Sequence, residues 1–336
     1  MKAFACRVCG SRLFFENSVC VTCGTGLGFS RGEADIVPVD AAGRYVDAAG
    51  LVSHVCRNLA LTGCTWLAPL EGGQCAACDL TRTRPNDADA AGLAYLVDAE
   101  RAKRYLVFEL DRLGVPVVPK SADAIDGLCF DLLSSETAPV VTGHDDGVVT
   151  IDLAEADDAH RESVRAQLGE TYRTMLGHLR HEVGHYIQWR FLRDDDLVAR
   201  SRELFGDERA DYGEALDRHY ADGAPAGWEA SFISAYATMH PFEDFAETWA
   251  HFLHICDSVE TARAYALAAV GDIRSAPRFS EVVRLIWMPL ATALNMMNRA
   301  MGKHDLYPFV IPEPVLDKLD LIAQLQHRVA AGGVED

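Results

Sequence analysis

The chain has 336 residues and a formal net charge of −19, and 49% of its residues are hydrophobic. This length exceeds what one hydrophobic core usually organises, so two domains are expected, and the apolar content excludes a disordered chain. A strongly acidic protein repels phosphate backbones, which argues against nucleic acid as a partner. The sequence contains no apolar run of 18 residues, so neither a transmembrane helix nor a membrane partner is expected.

The N-terminal segment predicts the compartment and the role of the cysteines. Residues 1–7, MKAFACR, lack the long apolar core of a secretory signal, so we expect a cytoplasmic location. Thiols stay reduced there, and ten cysteines then favour metal binding over disulfides. Because residues 1–85 carry 8 Lys and Arg against 7 Asp and Glu, nearly all of the negative charge follows residue 85. We therefore predict a zinc-ribbon region over 1–85 and a second domain over 86–336, with the polar run 81–90 as the boundary.

The first four cysteines form two C-x2-C pairs that are separated by ten residues. They are Cys6, Cys9, Cys20 and Cys23. Each pair can form a tight knuckle whose two thiolates point at one ion, and two knuckles complete a tetrahedron. The alternative, four unrelated buried thiols, would require this spacing to arise by chance. The pattern therefore predicts a structural zinc site.

A second group of four cysteines follows, although only its last two members form a knuckle. The group consists of Cys56, Cys64, Cys75 and Cys78. We predict a second structural zinc ion here, with His54 as an alternative ligand. Four thiolates leave each zinc site with a net negative charge, which favours a protein partner at the ribbons over nucleic acid. The other two cysteines, Cys129 and Cys256, have apolar neighbours and are predicted to be buried free thiols.

The remaining residues predict a mainly helical domain with a small antiparallel sheet, and hence an α+β fold. The apolar periodicity predicts a helix over 91–113 that ends at Gly114. Strands are predicted over 127–133, 138–142 and 147–153, and residues 144–147 form the hairpin turn between the last two. Further helices are predicted over 159–193, with Asp157 and Asp158 as its cap, and over 243–256, 281–301 and 314–329.

The helix predicted over 159–193 contains the segment HEVGH at 181–185. Residues four apart lie on one face of a helix, so His181 and His185 can bind a single metal ion. Glu182 then lies beside the metal, where a base that activates water is needed. A third ligand would leave one coordination position open, which is the arrangement of a catalytic zinc ion.

Two glutamates on the next predicted helix can complete this site. Glu243 and Glu247 are four residues apart, so one can bind the metal while the other accepts the spare imidazole N–H of a histidine ligand. The alternative is a solvated acidic face on an amphipathic helix. Phe245, Trp249 and Phe252 lie among these acids, so the face is expected to be buried, and buried carboxylates need a partner.

The segments HEVGH at 181–185 and EDFAE at 243–247 resemble the gluzincin metallopeptidases, in which two histidines and a downstream glutamate bind zinc. They are most similar to the group of gluzincins that includes anthrax lethal factor. That resemblance implies that Glu243 is the ligand and that Glu247 supports a histidine ligand. It also implies a catalytic tyrosine seven residues before the ligand glutamate, which is Tyr236 in this chain.

Over nearly the whole chain, the order of these parts is similar to a family of bacterial zinc-binding metallopeptidases with an N-terminal zinc ribbon. The segments that carry this similarity are the two C-x2-C pairs, residues 173–185 and residues 241–247. The resemblance implies a fold and a zinc-dependent chemistry but no firmly assigned substrate. Together with the two cysteine groups it gives an expectation of one catalytic and two structural zinc ions, and we expect a peptide or protein substrate. In that chemistry Glu182 removes a proton from the attacking water, and Tyr236 donates a hydrogen bond to the oxyanion.

Several expectations concern residues around this centre. His178, His251 and His254 are predicted to be packed or hydrogen-bonded histidines, and His240 is predicted to contact substrate. The strand at 147–153 is predicted to bind an extended peptide along its edge.

The motifs leave two classes of function open, an enzyme and a binding module. The leading prediction is a zinc hydrolase of peptide, isopeptide or other amide bonds. The alternative is a non-catalytic adaptor that binds a partner protein through its ribbons and a degenerate peptidase fold. Glu182 and Tyr236 argue against the adaptor, because a binding module does not need a general base.

Overall fold

The structure, a computed structural model, describes residues 1–136, 139–156, 174–268, 273 and 276–332. Its N-terminal region consists of short antiparallel strands around the cysteine pairs. They are β1 (Phe4–Ala5), β2 (Arg12–Leu13), β3 (Leu27–Ser30), β4 (Asp35–Pro38), β5 (Arg44–Val46), β6 (Val52–Val55) and β7 (Leu67–Ala68). β1 pairs with β2 and β3 with β4, while β5, β6 and β7 form a three-stranded sheet. Two one-turn helices, α1 (Leu59–Thr62) and α2 (Ala76–Asp79), complete this region.

Aromatic side chains join the N-terminal region to the first long helix, α3 (Ala90–Arg112). The ring of Phe108 on α3 lies 4.9 Å from that of Phe15 and 5.6 Å from that of Phe29. Trp66 packs against Phe29 at 4.8 Å between ring centroids and is 1% exposed. Each such pair contributes about 0.5–1.5 kcal/mol beyond area burial, so the cysteine-rich region is packed onto the rest of the protein.

A four-stranded sheet follows, with strand order β10-β11-β9-β8. Its strands are β8 (Thr81–Thr83), β9 (Cys129–Leu133), β10 (Gly143–Asp145) and β11 (Val148–Asp152). The hairpin predicted at 144–147 is confirmed: β10 and β11 are antiparallel, and Asp146 and Gly147 both have positive φ angles of 44° and 78°. β9 pairs in parallel with β8 and β11, which the sequence did not predict.

Two strand predictions are wrong in detail. The strand predicted over 138–142 begins at Gly143, because residues 139–142 pair with no strand; residue 138 lies outside the described residues. The strand predicted as a free edge for peptide binding, β11, is paired on both sides with β10 and β9. The edge strand on this side of the sheet is β10.

Helices form most of the remaining chain. They are α4 (Met175–Phe191), α5 (Asp195–Phe205), α6 (Tyr212–Asp222), α7 (Pro241–Ala264), α8 (Phe279–Val282), α9 (Met288–Ala300) and α10 (Glu313–Ala330). The helices predicted over 91–113, 243–256 and 314–329 are therefore present, although α7 continues eight residues further. Residues 157–173, with the predicted cap and the first half of the helix predicted over 159–193, lie outside the described residues.

The helix predicted over 281–301 contains a π turn at Val283–Trp287, between α8 and α9. Pro289, in the first turn of α9, has no N–H to donate and crowds the carbonyl four residues earlier. A π turn at this point accommodates the missing hydrogen bond. Among the described residues, no helix is long and apolar enough to cross a lipid bilayer.

The two helices that carry the metal motif, α4 and α7, are anchored by buried ion pairs. Arg180 on α4 donates from Nε to Glu109 Oε2 on α3 at 3.0 Å. Lys318 on α10 donates from Nζ to Asp244 Oδ2 on α7 at 2.6 Å. Lys318 and Asp244 are only 3% and 1% exposed, so these contacts fix both helices from outside the site.

Candidate metal centre

Helix α4 presents the two histidines of the HEVGH segment on one face. The Thr174 side chain caps the helix by accepting a hydrogen bond from Gly177 N at 3.0 Å. His181 and His185 follow at helical spacing, and their ring centroids are 4.9 Å apart. Both imidazoles therefore face the same point, as their spacing of four residues predicts.

Helix α7 brings Glu243 to that point. The helix starts at Pro241, which suits its first turn, and Glu243 lies in the same turn. Glu243 Oε2 lies 3.0 Å from His181 Nε2 and 3.5 Å from His185 Nε2. One ligand atom from each of the three residues lies within 4.8 Å of the others. Two nitrogens and one carboxylate oxygen are the donor set of a catalytic zinc site, so these residues fit the predicted ion.

Glu247 lies one turn further along α7 and contacts the outer nitrogen of His181. Its Oε1 is 2.7 Å from His181 Nδ1, and its Oε2 accepts a hydrogen bond from Ser234 Oγ at 2.6 Å. Burial raises the pKa of Glu247, but the hydrogen bond and charge of His181, with His251 and the hydrogen bond from Ser234, together lower the pKa to about 2. An ionised carboxylate only accepts, so Nδ1 carries the proton and Nε2 is free to bind a cation.

The Glu182 side chain is buried beside this cluster, and its two oxygens have different surroundings. Oε1 is 3.2 Å from His178 Nε2, whereas Oε2 has no hydrogen-bond partner among the described residues. Burial raises the pKa of Glu182, but the hydrogen bond from His178 and the charges of the nearby histidines lower it below its usual value. Glu182 is therefore a carboxylate with one oxygen available.

The hydroxyls of two tyrosines, Tyr236 and Tyr212, also lie at the metal centre. Tyr236, in a 3₁₀ turn at Tyr236–Thr238, has its ring 5.9 Å from that of His181. Tyr212, the first residue of α6, donates to Glu243 Oε1 at 2.8 Å, and its hydroxyl lies close to that of Tyr236. Burial and the charge of Glu243 raise the pKa of both tyrosines well above the ordinary value, so both hydroxyls are protonated. The sequence analysis did not identify Tyr212, since no motif links it to Glu243.

The structure gives His240 a role that differs from the predicted substrate contact. His240 is the N-cap of α7: its Nδ1 accepts from Phe242 N at 3.1 Å, and its Nε2 donates to Ala210 O at 3.0 Å. It is 3% exposed, and both of its ring nitrogens bind backbone groups. The structure therefore uses this side chain as the cap of α7, and the substrate contact of His240 stays a prediction.

The other histidines have partners in the protein. His251 Nδ1 is hydrogen-bonded to the Tyr307 hydroxyl at 2.8 Å, and the His254 ring packs 5.7 Å from that of Trp287. His178 contacts Glu155 and Glu182. All three are packed or hydrogen-bonded, as expected.

Both predicted cysteine groups are assembled. In the first, Cys6 Sγ is 3.8 Å from Cys23 Sγ, and Cys9 Sγ is 3.6 Å from Cys20 Sγ. In the second, Cys56, Cys64, Cys75 and Cys78 converge in the same way, with pairs at 3.6 and 3.7 Å. His54 lies outside this group. The first group has two exposed members, Cys9 and Cys23, whereas the second is entirely buried. Four convergent thiols at each place fit a tetrahedral zinc ion.

A cavity of about 380 Å³ opens beside the metal centre. His178, His181, Glu182 and Tyr236 form one wall, and the opposite side is largely aromatic. The aromatic residues there are Tyr220, Trp228, Phe232, Tyr307 and Phe309. A concave apolar site with a few convergent polar groups is the usual form of a binding site.

A helix-borne pair of histidines, a glutamate from a second helix and two N-terminal cysteine tetrads together define a zinc-binding protein with a ribbon module and a metallopeptidase-like core. Comparison with family models agrees: residues 93–325 match the family described as "Putative zinc-binding metallo-peptidase", and residues 3–89 match a zinc-ribbon domain. The chain belongs to this family of zinc-binding metallo-peptidases, as its sequence motifs predicted.

Relatives at full length occur in mycobacteria. The chain is 47% identical over 338 residues to uncharacterized proteins of Mycobacterium tuberculosis strains H37Rv and CDC 1551 and of Mycobacterium bovis AF2122/97. Each comparison covers 98% of this chain and 96% of the relative. No solved structure matches the chain.

Proposed function

We propose that the protein is a zinc-dependent peptidase of the gluzincin type, acting in the cytoplasm on peptide or protein substrates. In this proposal His181, His185 and Glu243 hold the catalytic zinc ion, Glu182 is the general base and Tyr236 assists the reaction. The two cysteine tetrads hold two structural zinc ions. The observation that carries the proposal is the convergence of three ligand atoms beside the unpartnered oxygen of Glu182, at the wall of a cavity.

The chemistry follows from the positions of these groups. A zinc ion at the three ligands would polarise the scissile carbonyl as a Lewis acid and lower the pKa of a water molecule to about 7. Glu182, through Oε2, accepts the proton of the attacking water and later delivers it to the leaving amine. Tyr236 is protonated and donates a hydrogen bond to the oxygen that gains negative charge. Glu247 keeps the proton of His181 on Nδ1, so Nε2 stays directed at the ion.

The decisive test compares the wild-type protein with Glu182→Gln. Glutamine preserves the shape of the side chain but cannot take a proton, so we expect zinc to remain bound while turnover of a peptide library falls by about 10²–10⁴. The readouts are metal content, expected to be three zinc ions per chain, and mass spectrometry of the cleaved peptides. Glu203→Gln, which changes an exposed glutamate on α5, is the matched control.

Two outcomes would contradict the proposal. Full activity in Glu182→Gln would exclude Glu182 as the base. Two zinc ions per chain, with no cleavage by the wild-type protein, would favour the adaptor function instead. One observation supports a docking role for the ribbons in either case: Val8, Phe14 and Val21, around the first cysteine tetrad, are 61%, 67% and 93% exposed.

A further inference from the structure

The side chain of His178 contacts Glu182 on one side and a carboxylate from outside α4 on the other. His178 lies four residues before Glu182 on α4, so the two side chains meet on one face of the helix. His178 Nε2 is 3.2 Å from Glu182 Oε1, and the other ring nitrogen, Nδ1, contacts Glu155 Oε2. The imidazole therefore bridges two carboxylates, of which only Glu182 belongs to the metal centre.

Glu155 is itself held from the sheet side of the molecule. It lies in the 3₁₀ turn Leu153–Ala156 that follows β11, and its Oε1 accepts from Thr142 Oγ1 at 2.8 Å. Thr142 Oγ1 in turn accepts from the backbone N–H of Asp152 at 3.1 Å. Glu155 is 8% exposed, and this series of hydrogen bonds connects the sheet to α4.

We propose that His178, held by Glu155, is a positioning residue that binds one oxygen of Glu182 and thereby directs the other oxygen, Oε2, to the proton of the attacking water. This inference rests on the proposed function, in which Glu182 is the general base. It also assigns Glu155, Thr142 and His178 to one unit that neither the metal motif nor the family comparison identifies.

Two further observations support this assignment. Burial lowers the pKa of His178, but the carboxylates of Glu155 and Glu182 together outweigh burial and raise the pKa to about 9. Both ring nitrogens therefore carry protons near neutral pH, so His178 can donate to both carboxylates at once. In addition, Glu182 Oε2 is buried without a partner among the described residues, as expected of an atom whose partner is a reactant.

The test uses the full-length zinc-loaded protein with three substitutions. His178→Ala releases Oε1, and since a small misplacement of a reacting group can cost about 10² in rate, we expect kcat to fall about 10²-fold with KM changed less than about threefold. His178→Gln keeps an N–H donor and is expected to stay within about tenfold of the wild-type kcat. Glu155→Ala is expected to fall between the two, because His178 remains but loses its support. His327→Gln, an exposed histidine on α10, is the control.

Zinc content and crystal structures of the variants separate positioning from a purely structural role. We expect three zinc ions in each variant, and a Glu182 side chain that changes rotamer in His178→Ala but not in His178→Gln. Equal losses in both His178 variants, a loss confined to KM, or an unmoved Glu182 would overturn the assignment. If the wild-type protein cleaves nothing, the proposed function fails, whereas the Glu182 rotamer in the variant structures still decides whether His178 positions it.

Discussion

The hydroxyls of Tyr212 and Tyr236 lie close together, yet the two residues contact different parts of the metal centre. Tyr212 donates to Glu243 Oε1, the oxygen that does not face the imidazoles, and so restrains the carboxylate to offer Oε2 alone. Tyr236 makes no contact of this kind with a ligand oxygen and instead lines the cavity. Tyr212 therefore supports a metal ligand, whereas Tyr236 faces the cavity in which substrate would bind.

This difference predicts that Tyr212→Phe weakens zinc binding. Loss of a group that orients a ligand typically costs about 10–100-fold in metal affinity, and we expect a loss in that range at the catalytic site. The measurement is competition with a chelator in the Glu182→Gln background, where self-cleavage cannot interfere. Tyr236→Phe is the matched control: it should retain zinc affinity in the same background, and in the protein with Glu182 intact it should lose about 10²–10³ in kcat. An equal loss of zinc affinity in both variants would show that the two hydroxyls act on the ligand together.

Single residues also show what the sequence could predict about the site. The pair His181 and His185 was predictable because only certain spacings place two imidazoles on one helical face. Tyr212 and Glu155 could not be identified, since they reach Glu243 and His178 only through the packing of α6 and of the 3₁₀ turn after β11. The capping role of His240 was not predicted, because a position before Pro241 suits both a substrate contact and a helix cap, and the structure uses it as the cap.

At the scale of elements, the contact between α4 and α7 depends on Gly184. A Cβ atom at this position would lie 2.9 Å from Ala246 Cα and 3.1 Å from Ala246 O, both backbone atoms of α7. Glycine in the middle of a helix costs about 1 kcal/mol relative to alanine, so its presence here needs a packing reason. The close approach of the two helices, which brings Glu243 to the histidines, supplies that reason.

Gly184→Ala is therefore expected to destabilise the protein despite the better helix propensity of alanine. Overpacking of this kind costs about 1–3 kcal/mol, and the displaced α7 should also weaken zinc binding at the catalytic centre. The measurements are urea unfolding and zinc affinity. Gly213→Ala on α6 is the control: the new Cβ would meet only the Asp211 side chain, at 3.3 Å, so the free energy of unfolding should not fall. A Gly184→Ala protein as stable as the wild type would contradict the packing argument.

The elements differ in how well local sequence predicts them. The long helices α3, α7 and α10 were predicted because apolar periodicity and end signals act within a few residues. The parallel pairing of β8 with β9 has no local signal, since the two strands pair directly although the whole of α3 separates them in the sequence. The π turn before α9 follows from Pro289. The sequence analysis predicted one regular helix over 281–301 because it considered only the periodic apolar pattern and not the effect of this proline.

At the scale of the whole molecule, the cysteine-rich region and the metal-centre region share one hydrophobic core. The polar run 81–90, which was predicted as the boundary, contains β8 and the N-cap of α3, Asp89. All four cysteines of the second tetrad lie within this shared core, whereas only Cys6 and Cys20 of the first tetrad do. The buried Lys103 on α3 contributes a positive charge near Cys78, which offsets part of the negative charge of the thiolates. The second tetrad is thus a structural element of the whole chain.

The two tetrads should consequently contribute differently to global stability, which single substitutions can test. Cys75→Ser removes a ligand inside the shared core, and losses of structural metal belong to the most destabilising class of mutation. A cost of about 4 kcal/mol would lower Tm by roughly 10 °C in a domain of this size. Cys9→Ser removes an exposed ligand of the first tetrad, so its effect should be local and lower Tm by less than about 5 °C.

The comparison requires zinc stoichiometry and thermal unfolding on the same samples. Both variants should lose one zinc ion, while Cys129→Ser, which replaces a buried cysteine outside both tetrads, should keep all three. Since the metal centre depends on α4 being anchored to α3 through Arg180 and Glu109, Cys75→Ser should also weaken zinc binding at His181, His185 and Glu243. Equal Tm losses for Cys75→Ser and Cys9→Ser would mean that the second tetrad stabilises only its own segment. Unchanged zinc affinity at the metal centre in Cys75→Ser would mean that the shared core does not couple the two sites.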